Sequence, residues 1–204
     1  MKTADYTGIL PPQYTGKEII AEANITCDNI NEARQVYDQS KKRLLHVDKW
    51  KELLGILSAN FCVMDSNGNA TGKSVEQGNL LRIDIPGPGS STGEGYDWVA
   101  VEELKEVETD EIQSIAFRVR PTINPKGTSN NIAHFYDQEG TSTFMVTRNE
   151  HTVYTTIADR NIKPNTDTDS IVDTIRNMPV AIGAIGLLSK VQWQSLAEGL
   201  LKTD

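Results

Sequence analysis

The sequence predicts an α+β protein in which one strand and two helices precede a meander of about six further strands, and a long helical segment closes the chain. Three observations predict it. Residues 17–26 alternate apolar and polar side chains, and helix-spaced apolar residues follow directly. Between residues 58 and 159 the apolar period is two, with turn residues between the runs. From residue 167 to 201 the period returns to that of a helix.

Residues 1–16 are rich in Pro, Gly, Tyr and Thr, which predicts an irregular arm over the surface, with one domain spanning 17–204. In the first strand Ile19, Ala21, Ala23 and Ile25 share one side. Asp28 or Asn29 then offers an N-cap for a helix to Leu45, whose core face is Ala33, Val36, Tyr37, Ser40 and Leu44. Asp48 caps a short helix containing Trp50, Leu53 and Leu54, with Gly55 as its stop. Residues 59–65 read as a strand leading into Asn67-Gly68, a hairpin signal because this pair tolerates positive φ.

The strand at 78–85 sets Leu81, Ile83 and Ile85 inward, and that at 97–107 sets Val99 and Val101 opposite Trp98, Ala100 and Glu102. The strand at 111–120 sets Ile115, Phe117 and Val119 opposite Ser114, Arg118 and Arg120, so the arginines pair with Glu102 or Glu103 across the sheet. Residues 141–148 and 151–159 form a hairpin around Asn149-Glu150, and 121–138 is a loop holding a short strand at 132–136.

In the closing segment Ile171, Val172, Ile175 and Met178 fall on one helical face. Pro179 predicts a kink or break, and Ser189 to Gln192, reading S-x-x-Q, predicts a second start. The stretch VAIGAIGLL between them is far short of the roughly 20 residues that cross a bilayer, so it is expected to be a buried segment.

Composition narrows the function classes. With 204 residues, 38% hydrophobic and 24% charged, the chain is sized for one packed domain. A formal net charge of -8 argues against nucleic acid as partner, because phosphate contacts need clustered Lys and Arg. No apolar run suits a signal peptide or a membrane span, so a cytoplasmic protein is expected, with Cys27 and Cys62 as reduced thiols.

Gly68-Asn-Ala-Thr-Gly72-Lys73-Ser74 is one residue short of a phosphate-binding P-loop and leads into a strand, so it reads as a hairpin loop. Gly87 to Gly93 fails as a dinucleotide fingerprint because Pro88 removes a donor and no helix follows. That loop reads instead as a connection whose Tyr96 and Trp98 can stack on a ligand or partner. His46, His134 and His151 have no ligating partner at metal spacing, which leaves no metal, cofactor or catalytic assignment. Of the three, His134 is the one expected to face a pocket.

The order of elements resembles that of the START-like, or SRPBCC, helix-grip family, which includes the polyketide cyclases and the plant pollen-allergen fold. The resemblance covers nearly the whole chain and is carried by element order, not by a motif. It implies a curved antiparallel sheet of about seven strands wrapped around the C-terminal helix, with an apolar cavity between them. The alternative is a small, SH3-like barrel formed by residues 58–120 with helices attached. On the helix-grip reading the expected function is non-catalytic binding of a small apolar or amphipathic ligand. The cavity is expected to be lined by Phe117, Phe144, Val172, Ile175, Ile182, Gly183 and Gly186, with Tyr96, Trp98, Arg118 and His134 as loop or polar contacts. The competing expectation is an interaction or assembly module, with a second copy or another protein as partner.

Overall fold

The structure is a computed structural model that describes residues 4–54, 58–85, 92–165 and 179–203, of which 179–188 are described as backbone only. Strand β1 (Lys17–Thr26) is followed by helix α1 (Ile30–Leu45), a 3-10 turn (Val47–Lys49) and helix α2 (Trp50–Leu54). Strands β2 (Asn60–Met64), β3 (Leu80–Asp84), β4 (Asp97–Glu108), β5 (Ile112–Pro121), β6 (Thr141–Asn149) and β7 (Thr152–Ile162) come next. Helix α3 (Pro179–Leu200) ends the chain.

The strands form one open antiparallel sheet of seven in the order β1-β7-β6-β5-β4-β3-β2. The meander β2 to β7 is sequential, and β1 closes the far edge beside β7. This is the helix-grip arrangement expected from the element order. A closed barrel over 58–120 is excluded, since β2 pairs with β3 alone and β5 continues into β6.

Each helix lies where its sequence requires. Asn29 caps α1 by accepting from the Glu32 amide at 3.0 Å while the Glu32 carboxylate reaches back to the Asp28 amide at 3.1 Å, a reciprocal cap that satisfies two orphan donors. The buried residues of α1 are Ala33, Val36, Tyr37, Ser40 and Leu44, the stripe that its periodicity predicted. Trp50, at the start of α2, drops into the core among Phe61, Phe117 and Phe144.

Two expectations are corrected. The second start expected at Ser189 is absent: α3 runs unbroken from Pro179 to Leu200. Proline at the first helical position lacks only an N–H that would have no intrahelical partner there, so it starts this helix without cost, and Ser189 sits in its interior. The helix expected at 167–178 lies outside the described residues. Residues 132–136 are not a strand either, contributing only an isolated bridge between Tyr136 and Pro164. The Gly68 to Ser74 segment is a hairpin loop, as read: Asp65 N–H donates to the Asn69 carbonyl at 2.8 Å, Gly68 has φ 75, and no helix follows.

A bulge in β4 between Val101 and Glu103 shifts its register against β5. It brings Glu102 and Glu103 to the same side, where Arg118 binds both at 3.0 and 3.2 Å and Arg120 also binds Glu102. These ions lie on the sheet face away from the helices. The N-terminal arm crosses that face too. The Asp5 carboxylate accepts from Thr7, Gly8 and Leu10 amides, folding the arm so that Ile9 packs on Ala116 and Met145. Those hydrogen bonds outweigh burial and hold the Asp5 carboxyl below its usual range. Arg118 and Arg160 donate to the arm carbonyls of Ile9 and Pro11, and the Asn161 side chain accepts from Tyr14 and Thr15.

Candidate functional site

On the helix-facing side of the sheet, successive rows of side chains differ sharply in chemistry. The pairing of Phe117 with Phe144, and of Phe144 with Ile157, makes an apolar row across β5, β6 and β7. Trp50 lies over it, 6.1 Å from Phe117 and 4.9 Å from Phe144 between ring centroids, and the two phenylalanines stack at 5.0 Å. Two residues further along the same strands, Val119 pairs with Ser142 and Ser142 with Asp159. Strand periodicity keeps this second row on the same face. Trp193 of α3 spans both rows: its ring meets Phe144 edge-on at 5.3 Å and its indole N–H donates to Asp159 Oδ2 at 2.7 Å.

Asp159 is 1% exposed, and its second oxygen, Oδ1, has no hydrogen-bond partner. Burial pushes its carboxyl up to about 6, an effect that the Ser142 hydroxyl and Trp193 offset in part. No cationic side chain among the described residues pairs with it. The Tyr136 hydroxyl lies near Asp159 and Ser189, is buried, and likewise has no partner in hydrogen-bonding geometry. Its pKa is pushed up by burial and then by the Asp159 charge, so it stays protonated.

A second buried carboxyl stands at the same end of the sheet. Asp97, 4% exposed, opens β4 in phase with Val99 and Val101 and is opposite Ile83. Burial raises it to about 7 although the Phe135 amide binds it, and its Oδ2 is unpartnered. The segment His134-Phe135-Tyr136 thus runs between two buried carboxyls. Its rings pack on one another, with centroids 4.4 Å apart for His134 and Phe135 and 4.1 Å for Phe135 and Tyr136.

The expected site residues scatter over these surroundings. Phe117 and Phe144 are in the aromatic row under Trp50. Ile182, Gly183 and Gly186 are on α3 where only backbone is described, and Val172 and Ile175 lie outside the described residues. Trp98 faces away from α3, in a cluster with Met64 and Ala133, and Tyr96 is half-buried with the Arg82 guanidinium 4.4 Å from its ring centroid. Arg118 is on the arm-covered face. His134 is 5% exposed and accepts from the Tyr136 amide through Nδ1 at 2.9 Å. An amide can only donate, so the ring proton sits on Nε2. Burial depresses its pKa to about 3, which leaves it a neutral, engaged imidazole and not a base.

The histidine, Asp159 and the arginines therefore do not converge: Asp159 faces α3, while Arg118 and Arg160 grip the arm on the opposite face. The described residues contain no group of His, Cys, Asp and Glu suited to hold a metal ion, and no described helix is long and apolar enough to cross a membrane. Asp97 and Tyr136 were not singled out from the sequence, and Asp159 was weighed only as part of a catalytic cleft shared with His134, Arg118 or Arg160. A signal existed for the two acids, since Asp159 continues the core phase of Val153, Thr155 and Ile157, and Asp97 that of Val99.

No protein-family model matches the sequence, and no curated protein is recognisably similar to it. Among solved structures, the hypothetical protein jhp0584 from Helicobacter pylori superposes with a TM-score of 0.54 at 12% identity, covering 97% of this chain and 98% of its own. Norcoclaurine synthase from Thalictrum flavum covers 94% and 96% at a TM-score of 0.34 and 9% identity. A START superfamily protein from Mycobacterium smegmatis covers 85% and 97% at 0.33 and 7%. The first likeness shows a shared fold over nearly the whole chain.

Proposed function

We propose that this protein binds a small apolar or amphipathic molecule, without converting it, between the sheet and the N-terminal half of α3. One observation carries the reading: two buried polar atoms without hydrogen-bond partners, Asp159 Oδ1 and Tyr136 Oη, belong to neighbouring side chains beside the apolar aromatic row. A buried polar group left unpaired costs roughly 1–3 kcal/mol, and a protein that keeps two together has a use for them. Trp50 fills the space over Phe117 and Phe144, so the ligand sits one row along, against Trp193. An apolar enclosure with a few placed polar groups is the usual composition of a small-molecule site.

Native mass spectrometry of the protein purified from its own source tests this. A retained adduct of a few hundred daltons, lost in Trp193→Ala, supports the reading. A bare polypeptide mass, with unchanged Tm across a panel of fatty acids, sterols and aromatic amphiphiles, sinks it.

A further inference from the structure

Resting on that binding reading, we propose that the ligand carries a cationic head, a protonated amine, and that Asp159 Oδ1 is its counter-ion with Tyr136 Oη as a second acceptor. Chemistry selects this class. Asp159 Oδ2 is already occupied by the Trp193 indole, and the other oxygen, Oδ1, has no hydrogen-bond partner. That free atom accepts hydrogen bonds and repels anions, so a carboxylate or phosphate head is excluded beside it. The neighbouring side chains include two aromatic rings, Trp193 and Tyr136. Ring faces attract cations and offer nothing to anions.

No described Lys, Arg or His neutralises this carboxylate. The groups that face it are Ser142 from β6, Ile19 opposite it on β1, Ser189 and Trp193 from α3, and Tyr136 from the β6-preceding segment. Tyr136 is held protonated and His134 neutral. Asp97, at the same end of the sheet, is the one other described group there that titrates in the neutral range. Binding of an ammonium demands an ionised Asp159. Affinity for the amine therefore rises with pH across about 6, while that for a neutral analogue stays flat.

The test uses two skeletons, each with three heads: phenethylamine, 2-phenylethanol and 3-phenylpropionate, and decylamine, decanol and decanoate. Titration calorimetry at pH 5 and pH 8 is run on the full chain, Asp159→Asn, Asp97→Asn and Tyr136→Phe. The expected result is that an amine binds at least tenfold tighter than its alcohol at pH 8, with the preference reduced about tenfold at pH 5 and abolished in Asp159→Asn. Asn still accepts from Trp193, so Asp159→Asn keeps its fold, and the readout is the amine-to-alcohol ratio within that variant. Asp97→Asn retains both the preference and its pH dependence, and Tyr136→Phe weakens the amine several-fold. Binding of alcohol or carboxylate in preference to amine overturns the cationic head while the binding reading stands. No binding by any of the six, together with a bare mass from the native source, overturns both.

Discussion

In the row formed by Phe117, Phe144 and Ile157, every buried surface meets another apolar surface, and Trp50 closes the layer from above. In the next row, Val119, Ser142 and Asp159, a carboxyl with one unpartnered oxygen takes the place of the Ile157 side chain. The same three strands and the same helix support both rows, and Trp193 touches both. The difference is therefore local. The first row has the chemistry of a core, which gains by exclusion of water, and the second has that of a site, which holds charge at a cost in stability.

Substitutions should move the two rows in opposite directions. Trp50→Ala removes the lid of the aromatic row and leaves a cavity among three rings, for which large-to-small core changes cost roughly 3–5 kcal/mol. Chemical denaturation should find it the most destabilising of these variants, and a loss below 1 kcal/mol would mean that the row is not the core. Asp159→Asn should stabilise. A carboxyl held at about 6 instead of 3.8 retains its proton in the folded state over that interval. Its contribution is thus full below 3.8 and is lost as pH rises through 6, amounting to roughly 3 kcal/mol. The variant should gain up to about that much at pH 8 and nothing at pH 4, and a loss at pH 8 would erase the contrast between the rows.

His134 works against the acids, with the same slope per pH unit as either one of them. Its folded pKa is depressed from 6.5 to about 3, so its contribution is present above 6.5 and is lost as pH falls below it, by roughly 1.4 kcal/mol per pH unit. Asn at this position keeps an acceptor for the Tyr136 amide. In His134→Asn the stability between pH 6 and 4 should therefore rise more steeply on acidification than in the parent, because Asp97 and Asp159 then act unopposed. Parallel pH profiles would show that the imidazole is not buried neutral.

How much of this was legible follows the physics of each element. The α1 stripe, the inward residues of β3 to β5 and the pairing of Arg118 with Glu102 and Glu103 came from periodicity, because one-sided burial imposes it. The continuity of α3 through Ser189 was not legible: S-x-x-Q reads as a capping box, yet the same residues occur in the interior of this helix. The polar row was hidden for a different reason. An acid in a strand is by default assigned to the solvated face, and only the phase of Asp159 against Val153 and Ile157 contradicts that assignment. The bulge in β4 has no sequence signature, so the inward placement of Leu104 after Val101 could not be counted from a strict period of two.

The contrast also predicts which end of α3 is fixed. The last carbonyls of a helix have no intrahelical donors, and here side chains from other elements supply them. Thr155 of β7 donates to the Ala197 carbonyl at 2.7 Å, and Ser40 of α1 donates to the Leu200 carbonyl at 2.9 Å. Arg43 reaches the carbonyls of Leu200 and Lys202. Gly199 lets this end seat closely on α2, since a Cβ there would stand 2.9 Å from Leu53. Thr155→Val removes the side-chain donor of the Ala197 carbonyl and Ser40→Ala leaves the Leu200 carbonyl to Arg43, at about 1 kcal/mol apiece. They act on different acceptors from different elements, so the double variant should lose close to the sum. Both bonds lie toward the C-terminus of α3, past Trp193, so the double variant should unfold earlier while binding the decylamine probe with unchanged affinity. If affinity falls together with stability, the anchored end and the binding end are one cooperative unit, and the division of the groove into core and site has to be redrawn.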